Sequence, residues 1–339
     1  MKKTIVILLI FIVMTTGHKV IAVEEKEPKY TFAVISDIHI QAEQLQNQKK
    51  FERALQDLSE LPIKPQTLVI NGDLTEGRQG DYDQLEAILR RSPHPANTFF
   101  TIGNHEFYQA WVRDGEAWNP ETFPNGETEQ ASIRRFLQWT HQPKVYYNQT
   151  IQAIPFLFLG SEHYRQTNAD IREDAYLSTE QLEWLKQQLE RGKNLAQPIF
   201  VFLHQPLPKT VSGTYVCCLN NRAVVQHEEL KKLLNQYPNV FFFSGHTHLQ
   251  LKLPKTIVQD GFTSINSSSV SQPWDDDNQG GQKWIDPSES EGMVVEVFED
   301  HVDLKGRDFY RRQWIKGAEY SIRLEKPWYH FVKNLISRS

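Results

Sequence analysis

Six short runs in this chain contain almost nothing that favours water: YTFAVI (Tyr30 to Ile35), TLVI (Thr67 to Ile70), TFFTI (Thr98 to Ile102), IPFLFL (Ile154 to Leu159), IFVFL (Ile199 to Leu203) and VFFF (Val240 to Phe243). Each is too short for a helix and rich in β-branched and aromatic side chains, so each reads as a strand covered on both faces. Between them apolar residues recur at helical spacing, as in Phe51, Leu55 and Leu58, in Leu85, Ile88 and Leu89, and in Ile133, Phe136 and Leu137. Leu182, Leu185 and Leu189 make a further stripe, with Ser178 placed to cap that helix and Gln181 to reach back to it. Leu230, Leu233 and Leu234 mark another helix. After His248 the pattern changes. Met293 to Phe298 and His301 to Leu304 read as two strands of a hairpin around Glu299-Asp300. The expectation is an α/β chain with two sheets, helices outside them and an antiparallel C-terminal part.

Five of the runs end in the same kind of residue. Ser36-Asp37-Ile38-His39 follows the first, Asn71-Gly72-Asp73 the second and Gly103-Asn104-His105-Glu106 the third. His204 follows the fifth, and Gly245-His246-Thr247-His248 the sixth. Sheets with parallel strands form ligand sites beyond the strands' carboxyl ends, so these distant residues are expected to converge. In extended chain, residues two apart face the same side, which lets Asp37 and His39, or His246 and His248, address one ion. Gly72, Gly103 and Gly245 permit the sharp turns that such an approach needs.

The donors are nitrogen and oxygen only: Asp37, His39, Asp73, Asn104, His204, His246 and His248. That set suits manganese, iron or zinc better than magnesium, for which imidazole is a poor ligand. Seven donors exceed one open site. With Asp73 bridging, one ion takes Asp37, His39, Asp73 and one histidine, and the other takes Asp73, Asn104 and two histidines. Two divalent ions would also give a chain of net charge -5 the local positive charge that a phosphate requires.

Asp-x-His, Gly-Asp, Gly-Asn-His-Glu, a lone His after a strand and Gly-His-x-His, in that order, resemble the calcineurin-like metallophosphoesterases. LSTEQLEWLKQQL resembles a helix in the branch that includes bacterial cyclic-nucleotide phosphodiesterases. The resemblance implies a two-sheet β-sandwich flanked by helices, in four layers αββα, over residues 28–339 as one domain. It implies that Asp37, His39, Asp73 and His248 hold one metal, and Asp73, Asn104, His204 and His246 the other. It makes His105 a catalytic residue, with Asp73, at the phosphate, and Glu106 its orienting partner or a brace for the loop. A metal-bridging hydroxide would attack phosphorus and His105 would protonate the leaving group. GDLTEGRQG lacks the Asp-Arg-Gly of the protein-phosphatase branch. No tyrosine follows Asp73 until Tyr82, unlike the purple acid phosphatases.

The leading expectation is a phosphodiesterase acting on cyclic nucleotides or other small phosphoesters. The alternatives are an extracellular phosphomonoesterase that scavenges phosphate, and an exported metal-binding protein without activity. Lys2 and Lys3, the apolar run Ile5 to Met14 and Val20-Ile21-Ala22 form the pattern of a signal peptide over residues 1–22, giving a secreted or cell-surface protein without stable membrane insertion. The mildly acidic balance gives no electrostatic case for nucleic-acid binding. Cys217 and Cys218 are adjacent and read best as two small apolar residues, a strained bridge being the other option. WDDDNQGGQKW, Trp274 to Trp284, reads as an exposed loop or a flap over a site. Substrate specificity is expected in the loops 107–119, 161–176 and 209–221.

Overall fold

Every residue of the first strand, β1 (Tyr30–Ile35), is buried, and its two faces serve different cores. Tyr30, Phe32 and Val34 point one way, into an aromatic layer with Phe156, Phe200, Phe202 and Phe243. Ala33 and Ile35 point the other way, against helix residues such as Phe51, Leu55 and Leu85. The period-2 alternation of a strand is thus present, but water meets neither face. The computed structural model describes residues 27–113, 118–193, 197–216, 218, 222–277 and 282–326.

The chain continues through α1 (Leu45–Glu60), β2 (Thr67–Asn71), α2 (Gln79–Arg91) and β3 (Asn97–Thr101) to α3 (Glu129–Thr140). Next come β4 (Tyr147–Ile151), β5 (Ile154–Phe158), α4 (Thr179–Gly192), β6 (Ile199–Phe202), α5 (His227–Leu234) and β7 (Val240–Ser244). Seven strands close it: β8 (Ile257–Asp260), β9 (Phe262–Asn266), β10 (Trp274–Asp276), β11 (Gln282–Trp284), β12 (Glu291–Val297), β13 (His301–Asp308) and β14 (Gln313–Arg323).

Two six-stranded sheets result, ordered β14-β13-β12-β1-β2-β3 and β4-β5-β6-β7-β9-β8, with β10 and β11 forming a separate hairpin. In the first sheet β1, β2 and β3 run parallel, while β12, β13 and β14 join as an antiparallel meander. In the second, β5, β6, β7 and β9 run parallel, with antiparallel strands at both edges. The sheets meet through phenylalanine: Phe32 lies 4.7 Å from Phe200 and Phe99 lies 5.5 Å from Phe158, centroid to centroid. Burying each such ring contributes about 1.5–3 kcal/mol. Outside the second sheet, Leu182, Leu185, Leu189, Leu230 and Leu234 pack on the outward residues Val240 and Phe242. The expected four layers are therefore present, and β12, β13 and β14 give the expected antiparallel C-terminal part, although β9, also after His248, runs parallel to β7.

Three local expectations are corrected. Ser178 caps α4 through a bond from Gln181 N, but the Gln181 side chain does not reach back. It is buried and bonds Gly160 through both its oxygen and its nitrogen, at 3.1 and 2.9 Å, tying α4 to the end of β5. Cys218 is disulfide-bonded rather than a free thiol, and the chain's only other cysteine, Cys217, lies outside the described residues. The Trp274 to Trp284 stretch holds the β10–β11 hairpin, not an open loop. Residues 1–22, read as a signal peptide, lie outside the described residues. No helix among the described residues is long and apolar enough to cross a membrane.

Candidate metal centre

The carboxyl ends of β1, β2, β3, β6 and β7 open on one edge of the sandwich, and their polar residues meet there. His248 Nε2 lies 3.0 Å from Asp37 Oδ1, and His204 Nε2 lies 3.0 Å from Asp73 Oδ2. His39 Nε2 sits 3.9 Å from Asp37 Oδ1 and 3.8 Å from Asp73 Oδ2. Donor atoms of Asp37, His39, Asp73 and His248 all fall within 4.8 Å of one another, as do those of Asp73, His204 and His246. Asp73 belongs to both groups. Both aspartates and His204 are almost completely buried.

The far side of each ring is already bonded. His204 Nδ1–H donates to the Asn71 carbonyl at 2.8 Å and His248 Nδ1–H to the Gln272 carbonyl at 2.9 Å. His39 Nδ1–H donates to Glu76 Oε1 at 2.9 Å. The Nε2 of each of these three rings is thereby turned into the cluster. His39 Nε2 and His248 Nε2 stand 3.3 Å apart, so their lone pairs repel unless a cation lies between them. Asn104 Nδ2 donates to Glu173 Oε2 at 3.0 Å, which fixes the amide with Oδ1 facing inward. Asn104 Oδ1, His204 Nε2 and His246 Nε2 are buried without a hydrogen-bond partner. Such orphans are costly in a folded interior, and a cation held by these atoms satisfies all three.

Local backbone bends bring these side chains together. Asp37, His39, Asp73, His246 and His248 all have left-handed backbones, with φ of 54°, 45°, 48°, 65° and 56°. Such φ is rare outside glycine and costs on the order of 1–3 kcal/mol per residue. Gly245 allows the closest approach: a Cβ there would lie 1.9 Å from Ser36 Oγ and 2.6 Å from Asp37 Oδ2.

The family model of calcineurin-like phosphoesterases matches residues 30–250. The chain belongs to this family. That membership makes it a metal-dependent phosphoesterase, and its sheets and layers are those of the family. A dimetal phosphatase from Danio rerio superposes with a TM-score of 0.60 at 16% identity, covering 88% of this chain and 100% of that one. A purple acid phosphatase from yellow lupin (Lupinus luteus) seeds gives 0.53 at 14% identity, over 87% of this chain and 53% of its own. The anchor of the inner membrane complex of Plasmodium gives 0.51 at 16% identity, over 90% of this chain and 95% of its own. No curated protein matches the chain in sequence.

The phosphoesterase's own charges set the ionisation of the cluster. Burial alone would raise the Asp37 carboxyl, but His248 and His204 outweigh it and hold Asp37 at about 2. Burial likewise opposes ionisation of Asp73, and His204 and His105 overcome it, leaving Asp73 well below the usual carboxylate range. Burial would lower His204, but Asp73 and Asp37 push it up to about 9. His246 is held well below its ordinary value by burial and then by His204, with Arg222 adding in the same direction. The cluster thus offers ionised carboxylates and a neutral His246, the forms in which these groups coordinate metal, while His204 gives up a proton to do so.

Glu76 was not singled out by the sequence, yet it holds His105, while Glu106 does something else. Glu106 accepts backbone N–H bonds from Gly103, Leu74 and Thr75, at 2.7, 2.9 and 3.0 Å. It braces the loops after β2 and β3 and does not touch His105. Burial, followed by the nearby charge of Asp73, raises Glu106 to about 7. Its expected role as a loop brace is what the geometry shows, and the orienting role passes to Glu76. The only signal for Glu76 was its place three residues after Asp73. The His105 ring is stacked on Tyr108 at 3.9 Å and lies edge-on to His39 at 4.4 Å. Trp274 of the β10–β11 hairpin approaches His248 to 5.2 Å, and Gln282 Nε2 donates to the Thr247 carbonyl at 2.8 Å. Tyr82 lies on α2 against Trp139, outside the two donor groups.

Proposed function

We propose that the protein is an exported phosphodiesterase of small phosphoesters, cyclic nucleotides among them, working with two divalent ions of manganese, iron or zinc. One ion would be held by Asp37, His39, Asp73 and His248, the other by Asp73, Asn104, His204 and His246. The observation that carries this reading is the sharing of Asp73 between two donor groups, with Asn104 Oδ1, His204 Nε2 and His246 Nε2 buried there without a hydrogen-bond partner. When bound, the ions make a water acidic enough to attack phosphorus and neutralise charge on the phosphoryl oxygens.

The chain's own residues supply the rest. Asp73 Oδ1 accepts the His105 backbone N–H at 2.9 Å, which ties that loop to the cluster. Glu76 takes the Nδ1–H of His105, so the proton it can donate sits on Nε2, 3.8 Å from Asp73 Oδ2. Tyr108 and His39 fix the ring, and a departing alkoxide beside Nε2 would receive that proton. A cleft bounded by Tyr108 and Glu173 opens next to His105 and leaves room for the second substituent of a diester. The lack of Asp-Arg-Gly after Asp73 speaks against a phosphoprotein substrate. Lys2, Lys3 and the apolar run Ile5 to Met14 support export of the remaining chain as one domain.

The test is turnover by Mn2+-loaded protein of bis(p-nitrophenyl) phosphate against p-nitrophenyl phosphate. Faster diester cleavage is expected. Faster monoester cleavage would make the protein a phosphomonoesterase, and activity on neither would leave a metal-binding protein.

A further inference from the structure

Beside the metal centre lies a cleft of about 350 Å3 whose walls are aromatic and cationic: Tyr108, Trp111 and Trp118 with Arg165, Arg172 and Arg222. Two of its lining residues also touch the centre. Tyr108 stacks on His105, and Glu173 holds the Asn104 amide. A substrate whose phosphoryl group sits at the centre can therefore reach this cleft.

Glu173, an acidic group of the cleft wall, is already engaged. It bonds Arg165, takes the Tyr164 hydroxyl at 2.9 Å and takes the Tyr108 hydroxyl at 3.3 Å. Arg165 is occupied too, paired with Glu173 and lying over the Trp111 ring at 5.0 Å. Arg172 and Arg222 differ. Both are exposed, and among the described residues neither forms an ion pair. Arg172 also sits in left-handed backbone, with φ of 53°. Trp118 packs one side on Trp111, at 5.6 Å between centroids, and stays 51% exposed. An open indole beside two unpaired guanidinium groups offers a stacking face and a place for negative charge.

We propose that this cleft selects phosphoesters carrying, beyond the phosphoryl group cleaved at the centre, a planar ring and a second anionic group, the ring on Trp118 and the anion between Arg172 and Arg222. This rests on the phosphoesterase reading above and narrows it. A cyclic nucleotide has one phosphate, which the centre would occupy, so the two arginines would be left without a partner. A nucleotide bearing a second phosphate fills both places.

The experiment uses the full mature chain with Mn2+ in excess and reads two signals. One is inhibition of bis(p-nitrophenyl) phosphate turnover by adenosine, AMP, ADP and inorganic pyrophosphate. The other is quenching of tryptophan fluorescence by the same compounds, which needs no turnover. ADP should bind at least about tenfold more tightly than AMP, the worth of one charge-assisted hydrogen bond. Pyrophosphate, lacking a ring, should inhibit without strong quenching. In the double variant Arg172→Gln/Arg222→Gln the ADP-to-AMP ratio should fall to within about twofold, one such bond being gone. Trp118→Ala should weaken both nucleotides and remove most of the quench. An equal ADP-to-AMP ratio in wild type and double variant would overturn the proposal, because the second phosphate would then be held elsewhere. So would equal binding of AMP and ADP by the wild type. A protein inactive on every ester would overturn the enzymatic reading instead, and the fluorescence titration would still decide this one.

Discussion

Glu76 holds two histidines with one carboxylate: it accepts Nδ1–H from His39 and from His105, each at 2.9 Å. A candidate metal ligand and the candidate proton donor are thereby oriented by the same side chain. Burial alone would lower His105, but Glu76 and Asp73 outweigh it and push His105 up to about 10. In the metal-free protein the proton at Nε2 is therefore retained through neutral pH.

Removing that carboxylate should move the proton. In Glu76→Gln the charge that raises His105 is gone, so His105 deprotonates at lower pH. The alkaline limb of the pH profile of kcat/KM, measured on an ester with an alkoxide leaving group, should shift down by about 1–3 units. An unmoved limb would assign the proton to another group.

Asp73→Asn should abolish activity and cost at least one metal, because the shared carboxylate belongs to both donor groups. His105→Ala should keep both metals and lose about 10²- to 10⁴-fold in rate on alkoxide esters. On esters of p-nitrophenol, which departs without protonation, the loss should be small. An equal loss on both would make His105 a phosphate-binding group, and lost metal would undo its placement outside the donor set.

Elemental analysis of gently purified protein should find close to two metal ions per chain. Chelation should lower the melting temperature, since ions bound only by the folded state stabilise it. Full activity at one ion per chain would remove the bridging role of Asp73.

Gly245→Ala should disturb the site without replacing a ligand. Its Cβ would lie 2.6 Å from Asp37 Oδ2 and closer still to Ser36 Oγ, so the Asp37 carboxylate must move. Weaker metal retention is expected, with about 1–3 kcal/mol lost from the unfolding free energy measured by denaturation. Normal metal content would show that the loop can absorb the methyl group.

Secreted material should begin near Val23 on N-terminal sequencing, following the charged start and short apolar run. An intact Met1 on membrane-bound protein would indicate an anchor instead.

The layers and the meeting of Asp37, Asp73, Asn104, His204, His246 and His248 were legible because both leave compositional marks. Strands buried on two faces must be apolar, and residues at their ends are polar only where something polar is served. What escaped reading depends on contacts between distant segments. β14 was missed because its sequence, QWIKGAEYSIR, is that of a half-exposed edge strand with few buried residues. β9 was missed because FTSIN is buried yet largely polar, with the Asn266 amide accepting from the Thr247 hydroxyl and donating to the Leu249 carbonyl. Gln181 looked like half of a capping box until Gly160 was seen beside it. Glu76 and Glu106 are both acids near a motif, and only the side-chain geometry shows which one touches His105.

The left-handed turns at Asp37, His39, Asp73, His246 and His248 make this site hard to transplant. A graft that copied the side chains onto ordinary strand ends would point them apart, because the aim comes from the turns. The same five positions are where an engineer seeking heat resistance would find gains, with glycine or asparagine relaxing the chain. Every such gain would be taken from the chemistry, so robustness and catalysis compete at these same few angles.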